Sequence, residues 1–371
     1  MEKIISADKR ILSVDVLRGF DMFWLIGGTG LALAIVKLFG GRVQDILLPQ
    51  LDHAEWIGFT FYDLIFPLFE FVMGMSVVFS LQRILATDGK IMAYRRLLKR
   101  FLLLFLLGII YYGGLSNIWP DIRILGVLQR LAITYLFTGI LFIHLELRGL
   151  VIVSSIVLIG YWFLLSFVPV PNTGLVSLTM NSNWHQYIDV LFLPGRKSGG
   201  SGGWDINGIL GTFPATVSCV LGVFAARILQ SNKMEVRQRL ICLIAGGALM
   251  VLTGYLWGIQ MPVIKKIWSP TYVLVAGGYS LIMMGIFYYL IDVKGYKSWT
   301  PVFVWIGVNP ITIYMARNLI DFNGLAKRLV GGDLAQMVGP EWAYLLAMIV
   351  SLGFSLVLLR FMYHRKIFLK V

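Results

Sequence analysis

Charged residues are scarce in this sequence. They make up 14% of the 371 residues, whereas apolar residues make up 58% and the mean hydropathy is +0.80. A soluble chain of this length carries about a quarter charged residues. The low charge therefore excludes an ordinary water-soluble domain, and we predict a polytopic membrane protein that lies in a lipid bilayer.

Cysteine is rarer still. The two cysteines, Cys219 and Cys242, lie in separate apolar runs, and we expect both side chains to be buried. Two cysteines in separate apolar runs exclude a disulfide framework and a cysteine-based metal site. The sequence gives no reason to expect a bound metal.

What is abundant is the long apolar run. A membrane-spanning helix needs about 20 apolar residues, and ten stretches qualify: roughly 14–38, 57–82, 97–115, 123–144, 149–168, 207–229, 238–258, 271–292, 299–321 and 342–363. The predicted fold is an all-α integral membrane protein. We expect a single transmembrane domain over residues 1–371, one bundle with a long loop at about 169–206.

The distribution of basic residues predicts the orientation of these helices. Lysine and arginine outnumber the acids by 32 to 19, which gives a net charge of +13. Most of them fall in alternate loops, such as 83–100, 227–239 and 360–370. By the positive-inside rule these loops and both termini are cytoplasmic. The positive charge therefore reflects topology, and we expect no nucleic-acid partner.

The outer loop at about 169–206 contains a flexible glycine- and serine-rich run at 198–203. It is either a lid over an acceptor site or a plain linker. Asp205 and Asn207 follow it, and either can cap the next helix or leave its N-terminus open to an anion or hydroxyl. Lys266 and Trp268 precede a later span on the same side, where they flank a polar substrate or anchor the interface.

Several ionisable residues lie inside or at the ends of the spans, where they are costly. Asp15 and Arg18 are three apart and share a helical face, as an ion pair or as the entrance for an anionic ligand. Asp63 and Glu70 are seven apart on another span. They must point inward, either for a helix–helix hydrogen bond or, in the case of Glu70, as a proton relay.

Arg130, which follows Gln129, is too deep in its span to reach water easily. A guanidinium there requires a carboxylate or a phosphate. Asp63 or Asp15 could supply the carboxylate, and a bound ligand could supply the phosphate.

Among the histidines, His53 alone lies beside both an acid, Asp52, and a span. Imidazole titrates near neutral pH, which suits a general base or a nucleophile. Asp52 or another nearby carboxylate would orient it; the alternative is a plain interfacial histidine. Asn309 and Pro310 interrupt a later span, so that the Asn309 amide can satisfy freed backbone groups or a ligand.

Sequence blocks in order along the chain resemble the heparan-alpha-glucosaminide N-acetyltransferase family and its bacterial relatives. The blocks are Ser13–Gly19, Asp52–Thr60, Asp63–Pro67, Gly126–Ala132, Gly208–Thr212, Lys266–Ser269 and Asp292–Gly295. Together they cover almost the whole chain, which makes the resemblance specific.

The resemblance implies a transmembrane acetyltransferase that uses cytoplasmic acetyl-CoA as co-substrate. It would acetylate the amine of an amino sugar, such as the terminal glucosamine of a glycan like heparan sulfate, on the far side. His53 matches the active histidine, as base or as acyl carrier. Asn309 or Asn207 would stabilise the oxyanion. A bacterial inner-membrane homodimer is also implied.

The remaining candidates follow from that implication. Asp52 and Asp63 would assist catalysis. The group expected near acetyl-CoA comprises Arg18, Arg130, Gln129 and Asp15, and the group expected near the acceptor comprises Asp205, Asn207, Trp268, Lys266 and Glu70. One departure concerns the first span, which reads Gly27-Gly28-Thr29 where the animal enzymes have an asparagine. The Thr29 hydroxyl would have to substitute for it.

Two other functions fit parts of the sequence. A transporter could move a small sugar or anion along the same polar path. Inverted repeats would favour it, and we find no strong internal repeat. A non-catalytic scaffold does not require buried ionisable groups such as Asp63, Glu70 and Arg130, whose burial costs free energy.

Overall fold

Helices dominate the computed structural model, which describes residues 11–171, 173–199 and 203–368. Within these ranges extended pairing is limited to isolated bridges, such as the one between Arg123 and Gly195. The prediction of an all-α membrane protein is therefore confirmed. In the described part of the chain, eight helical segments are long and apolar enough to cross a bilayer.

The α-helices follow one another along the chain as α1 (Leu12–Phe23), α2 (Thr29–Phe39), α3 (Gly41–Leu47), α4 (Phe61–Thr87), α5 (Gly89–Tyr111), α6 (Val127–His144), α7 (Leu147–Phe167), α8 (Trp184–Phe192), α9 (Thr212–Gln230), α10 (Val236–Trp257), α11 (Pro270–Phe287), α12 (Thr300–Val308), α13 (Pro310–Leu319), α14 (Phe322–Val330), α15 (Asp333–Val338) and α16 (Pro340–His364). A π-helical turn, Trp24–Gly28, joins α1 to α2.

Eight of the ten predicted spans coincide with segments of spanning length. The other two are also helical but differ in kind. Helix α5 begins with a basic half, and the ninth predicted span divides into α12 and α13 at Asn309, where the backbone leaves the helical region (φ −131°, ψ 46°). That break was predicted from Pro310. The count of ten and the cytoplasmic termini stay predictions.

Contacts divide the chain into two compact units. The larger unit contains Glu55–Phe59 and Phe66–Gly285, and the smaller unit contains Ile11–Ala54, Thr60–Ile65 and the residues from Ile286 onwards. The expectation of a single domain over residues 1–371 stays a prediction.

Reciprocal glycines bring helices into close contact within the larger unit. A Cβ atom on Gly74 of α4 would lie 1.8 Å from the carbonyl oxygen of Cys219, and one on Gly222 of α9 would lie 1.8 Å from that of Phe71. Such small-residue crossings are how membrane helices pack without a hydrophobic driving force. Cys219 is buried as expected, but Cys242 on α10 is exposed. That expectation was wrong because an apolar helix face can also point outward.

The smaller unit uses the same device between α1 and α12. A Cβ atom on Gly19 would lie 1.8 Å from the carbonyl oxygen of Phe303, and one on Gly307 would lie 2.1 Å from that of Asp15. Gly27, in the π-helical turn, has φ +140°, which L-residues with a side chain rarely adopt. The first span is therefore bent at Gly27, beside the segment that contains Thr29.

Candidate active site

His53 and Asp63 form a hydrogen-bonded pair in the smaller unit. The Nδ1 atom of His53 lies 2.9 Å from Oδ1 of Asp63. The Asp63 side chain is fully buried, whereas 46% of the His53 side chain is exposed. A buried carboxylate therefore holds one nitrogen of a ring whose other parts remain accessible.

Backbone donors fix the position of the Asp63 carboxylate. Its Oδ2 atom accepts hydrogen bonds from the backbone N–H groups of Ala54 (3.3 Å) and Thr60 (3.1 Å). Asp63 lies in the first turn of α4, where a negative charge is stabilised by the helix dipole. The carboxylate thus clamps the loop that carries His53 onto the start of the helix.

This arrangement selects the tautomer of His53. A carboxylate only accepts hydrogen bonds, so Nδ1 carries the hydrogen and donates a hydrogen bond to Asp63. The lone pair is then on Nε2, the atom that can take a proton or attack an acyl carbon. The same logic of a carboxylate orienting a histidine operates in hydrolase triads.

Asp52 acts on the loop backbone. Its Oδ1 atom accepts the backbone N–H of His53 at 2.7 Å, and its carbonyl oxygen accepts the hydroxyl of Thr60 at 2.7 Å. The imidazole was expected to be oriented by Asp52 or another nearby carboxylate, and the carboxylate hydrogen-bonded to its ring nitrogen is that of Asp63.

An aromatic residue and a cavity adjoin His53 in the same unit. The Tyr62 ring stacks on the imidazole, with ring centroids 4.7 Å apart and planes at 30°. Tyr62 also lines a cavity of about 350 Å³, whose wall includes Gly27, Thr29 and Arg317. Sequence reasoning missed Tyr62 and Arg317. An arginine inside the predicted span 299–321 was the available signal.

The other candidates of the smaller unit lie in helix contacts. The Nη1 atom of Arg18 lies 3.4 Å from Oδ1 of Asp15 and donates to the carbonyl of Gly307 at 3.2 Å. This bears out the shared helical face. The Nδ2 atom of Asn309 donates to the carbonyl of Ile367 at 3.0 Å, and the Thr29 hydroxyl donates to the carbonyl of Trp24 at 3.0 Å.

In the larger unit, Asp205 is an ion-pair residue and not a helix cap. Its carboxylate accepts two hydrogen bonds from Arg123, at 2.7 and 2.9 Å, and the backbone N–H of Asn207 at 2.8 Å. Helix α9 begins at Thr212 with no side-chain cap. The capping prediction for Asp205 and Asn207 was wrong because the intervening residues form turns before the helix starts.

The glycine run at 198–203 lies partly outside the described residues. Asn172, in the same predicted loop, also lies outside them. Of its described members, Ser198 donates to Asp205, and the Gly199 N–H donates to the carbonyl of Trp204 at 2.8 Å. The end of the run that is described is therefore tied to Asp205 and Trp204.

Arg130 lies fully buried among carbonyls and an aromatic ring. Its Nη2 atom donates to the carbonyls of Ile206 (3.2 Å) and Gly208 (3.4 Å), and its guanidinium lies 4.8 Å from the centroid of the Trp268 ring. The suggested partners Asp15 and Asp63 instead bind Arg18 and His53.

Glu70 and Gln129 are buried in the larger unit without hydrogen-bond partners in the described part of the chain. Both are fully inaccessible. Trp268 is also buried; it has φ +52°, an uncommon value for a non-glycine residue, and donates from Nε1 to Ser218 at 3.2 Å. Lys266 is partly exposed.

His185, which falls within the predicted outer loop, is fully buried. Tyr161 donates its hydroxyl proton to the carbonyl of Ile267 and is hydrogen-bonded to Nε2 of His185. Burial and, secondly, the nearby charge of Arg130 lower the pKa of His185 to about 3. Burial raises the pKa of Asp189, although the backbone N–H groups of Asp205 and Ile209 oppose this.

Metal ligands do not cluster in the described ranges, where no group of three or more His, Cys, Asp or Glu residues could hold an ion. At His53 the structure places an imidazole, a buried carboxylate and a neighbouring cavity lined in part by Arg317 and Lys327. Such a set suits proton transfer and acyl transfer.

Comparisons with known proteins agree with the sequence motifs. No family model matches the chain. Heparan-alpha-glucosaminide N-acetyltransferase of Homo sapiens is 29% identical over 388 residues, which cover 86% of this chain and 54% of the human protein. The Mus musculus protein of that name is 25% identical over 398 residues, 85% of this chain and 54% of its own length. The chain spans about half the length of the curated relatives it matches. The resemblance recognised from the motifs is confirmed, since the chain is similar to heparan-alpha-glucosaminide N-acetyltransferase over about 85% of its length.

Proposed function

We propose that the chain is a membrane-embedded acetyltransferase that transfers the acetyl group of acetyl-CoA to the amine of an amino sugar. The observation that carries this proposal is the His53–Asp63 pair, in which a buried carboxylate holds the Nδ1 atom of a half-exposed imidazole ring. The names of the two similar proteins support the reaction class.

Two routes can use the Nε2 atom of His53. In the first, Nε2 removes a proton from the amine as its nitrogen attacks the thioester carbonyl; the C–N bond forms, the C–S bond breaks, and the sulfur leaves as the CoA thiolate. In the second, Nε2 itself attacks the thioester, CoA leaves, and the amine then takes the acetyl group from the imidazole. In both routes Asp63 stabilises the positive charge that develops on the ring.

Both routes need a donor for the carbonyl oxygen as it becomes negative. We assign this role to Thr29 or Asn309, with Thr29 preferred because it lines the cavity beside Tyr62. Its hydroxyl donates to the Trp24 carbonyl and would have to turn toward the substrate. Asn207 remains a weaker candidate, because only its backbone contact to Asp205 is defined.

For acetyl-CoA we assign Arg18, with Asp15 as its partner, to the phosphates, since its side chain is 22% exposed. Arg130 has no exposed surface, so we assign it to holding the loop at Ile206 and Gly208. Gln129 and Glu70 are fully buried, so a substrate could contact them only by entering the interior of the larger unit.

The acceptor candidates divide in the same way. The carboxylate of Asp205 is committed to Arg123 and to the loop, and Trp268 is committed to Arg130 and Ser218. Of the sequence candidates for acceptor contact, Lys266 is partly exposed, and we keep it. A bacterial inner-membrane location, ten spans, cytoplasmic acetyl-CoA and a homodimer complete the proposal.

The test is acceptor-dependent release of CoA thiol by the purified protein, with glucosamine and other amino sugars, for wild type and His53→Ala. Release that falls at least a hundredfold in the variant supports the proposal. Release that survives the substitution moves the base elsewhere, with Asp63 or Glu70 next. Absence of turnover with every acyl-CoA would contradict the acetyltransferase and favour transport of a small sugar or anion.

A further inference from the structure

The cavity beside His53 has two basic side chains in a wall that is otherwise largely apolar. Its volume is about 350 Å³, at the small end of the range for ligand sites. Two basic side chains, Arg317 and Lys327, line it together with Asn323, Thr29 and Tyr62. All of these residues belong to the smaller unit. The volume suits one sugar ring with a substituent.

Neutral groups hold the Arg317 guanidinium in place. Its Nη1 atom donates to Oγ of Ser355 at 3.1 Å, and its Nη2 atom donates to Oδ1 of Asn323 and to Oγ of Ser351, both at 3.4 Å. Ser351 also donates to Oδ1 of Asn323 at 2.6 Å. These contacts orient the guanidinium and leave its charge uncompensated.

Neither basic residue has an ion-pair partner in the described part of the chain. By contrast, Arg18 lies beside Asp15, and Arg123 binds Asp205. The nearest acid in sequence, Asp321, accepts the backbone N–H of Gly324 as the cap of α14. A half-buried guanidinium without a carboxylate is a costly arrangement, which an anionic ligand would relieve.

The cavity adjoins the reacting imidazole through one side chain. Tyr62 lines the cavity and stacks on the His53 ring at a centroid distance of 4.7 Å. A ligand in the cavity is therefore one side chain away from the imidazole. The two cations also disfavour a protonated amine nearby, which keeps the amine in the neutral form that attacks a carbonyl.

We propose that Arg317 and Lys327, with Asn323, bind an acidic group on the amino-sugar acceptor and thereby select anionic over neutral acceptors. The proposal rests on the proposed acetyltransferase function. The acidic group is a phosphate, a sulfate or a carboxylate, since a guanidinium and an ammonium recognise all three.

The first experiment compares kcat/KM of the full chain for glucosamine, glucosamine 6-phosphate, glucosamine 6-sulfate and muramic acid, which carries a carboxylate. We expect wild type to prefer at least one acidic acceptor by about tenfold to a hundredfold, mainly through KM. In Arg317→Gln and in Lys327→Gln this ratio falls toward one. Lys327→Arg, which keeps the charge, retains most of the preference.

Arg328→Gln is the matched control, because Arg328 is an exposed neighbour that does not line the cavity. It removes one positive charge and is expected to keep the preference of wild type. Thermal unfolding of each variant checks that the fold is intact. An equal rate with neutral and acidic acceptors, or a preference that Arg317→Gln and Lys327→Gln both keep, overturns the proposal.

A binding measurement separates this inference from the proposed function. Titration of His53→Ala protein with glucosamine 6-phosphate, and with glucosamine, needs no turnover. Tighter binding of the phosphate that Arg317→Gln abolishes supports the inference even if wild type transfers no acetyl group. If phosphatidylglycerol in nanodiscs binds through Arg317 instead, and the acidic sugars bind no better than glucosamine, the cavity holds a lipid headgroup and the inference is wrong.

Discussion

Two histidines in this protein each have a hydrogen-bonded side-chain partner but differ in their exposure to solvent. His53, in the smaller unit, is hydrogen-bonded to a buried carboxylate, and 46% of its side chain is exposed. His185, in the larger unit, is fully buried against the Tyr161 hydroxyl, and the pKa of its ring is lowered to about 3. One imidazole can meet a substrate and accept a proton, and the other is held neutral inside a packed core.

The two aspartates near these histidines show where the difference arises. Asp63 and Asp189 each accept two backbone N–H groups, and each thereby fixes a loop to a helix. Asp63 in addition binds the ring of His53. Such a loop clamp becomes part of the proposed active site when its carboxylate also orients an accessible imidazole.

Substitution of the two aspartates separates these roles most sharply. Asp63→Asn places an amide against Nδ1 and loses the selection of the tautomer, so we expect kcat to fall by about 10²- to 10⁴-fold. Asp189→Asn keeps most of the acetyl transfer but lowers the unfolding temperature, because one backbone N–H loses its acceptor. Thiol release and thermal unfolding in the same detergent measure both effects.

Asp52→Asn is the control for these variants. Its carbonyl contact to Thr60 is unchanged, and the asparagine oxygen can still accept the backbone N–H of His53. We expect less than a tenfold loss of activity. A loss equal to that of Asp63→Asn would mean that Asp52, and not Asp63 alone, supports the imidazole.

Acid should destabilise the protein through His185. Its folded pKa, about 3, is below the ordinary value of 6.5, so the unfolded chain binds the extra proton between these values. The contribution is present in full above pH 6.5 and is lost as the pH falls toward 3. Between pH 6.5 and 5 the loss amounts to about 2 kcal/mol.

Thermal unfolding against pH tests this for wild type and His185→Gln. The variant should lose the part of the slope that His185 supplies, whereas His144→Gln, at an exposed histidine, should not. Asp189 acts in the opposite direction at lower pH, since its raised pKa makes the folded state hold a proton longer. Identical slopes for wild type and His185→Gln would show that His185 is not buried neutral.

The smallest effect concerns the aromatic wall of His53. Tyr62→Leu removes the ring that stacks on the imidazole, and we expect a fall in kcat/KM of about three- to tenfold, since such stacking is worth about 1 kcal/mol. Tyr62→Phe keeps the ring and should lose less than Tyr62→Leu. Equal losses for the two variants would show that the hydroxyl, and not the ring, is what matters at this position.

Both members of the central pair were among the sequence candidates because their signals are local, although Asp52 was the acid named beside His53. His53 and Asp63 are ten residues apart, at the junction of a loop and a span, and an ionisable residue at such a junction attracts attention at once. The all-helical fold followed from apolar runs for the same reason. The break at Asn309 followed from the missing N–H of Pro310.

Contacts between residues that are far apart along the chain could not be predicted from the sequence. Asp205 looked like a cap until its ion pair with Arg123, 82 residues away, was visible. Arg317 was overlooked because its neighbours Ser351 and Ser355 come from α16. His185 looked like a loop residue because nothing local indicated that Tyr161 and Ile267 would enclose it. The sequence also does not reveal which face of an apolar helix is buried, since Cys242 was expected to be buried and is exposed.

The most direct test of the account is chemical rescue of His53→Gly by free imidazole. The substitution leaves a gap beside the Asp63 carboxylate, so we expect acetyl transfer to be lost and then partly restored by imidazole in a saturable manner. The double variant His53→Gly, Asp63→Asn should show little rescue. Wild-type activity of His53→Gly without imidazole would contradict the claim that the Nε2 atom of His53 performs the reaction.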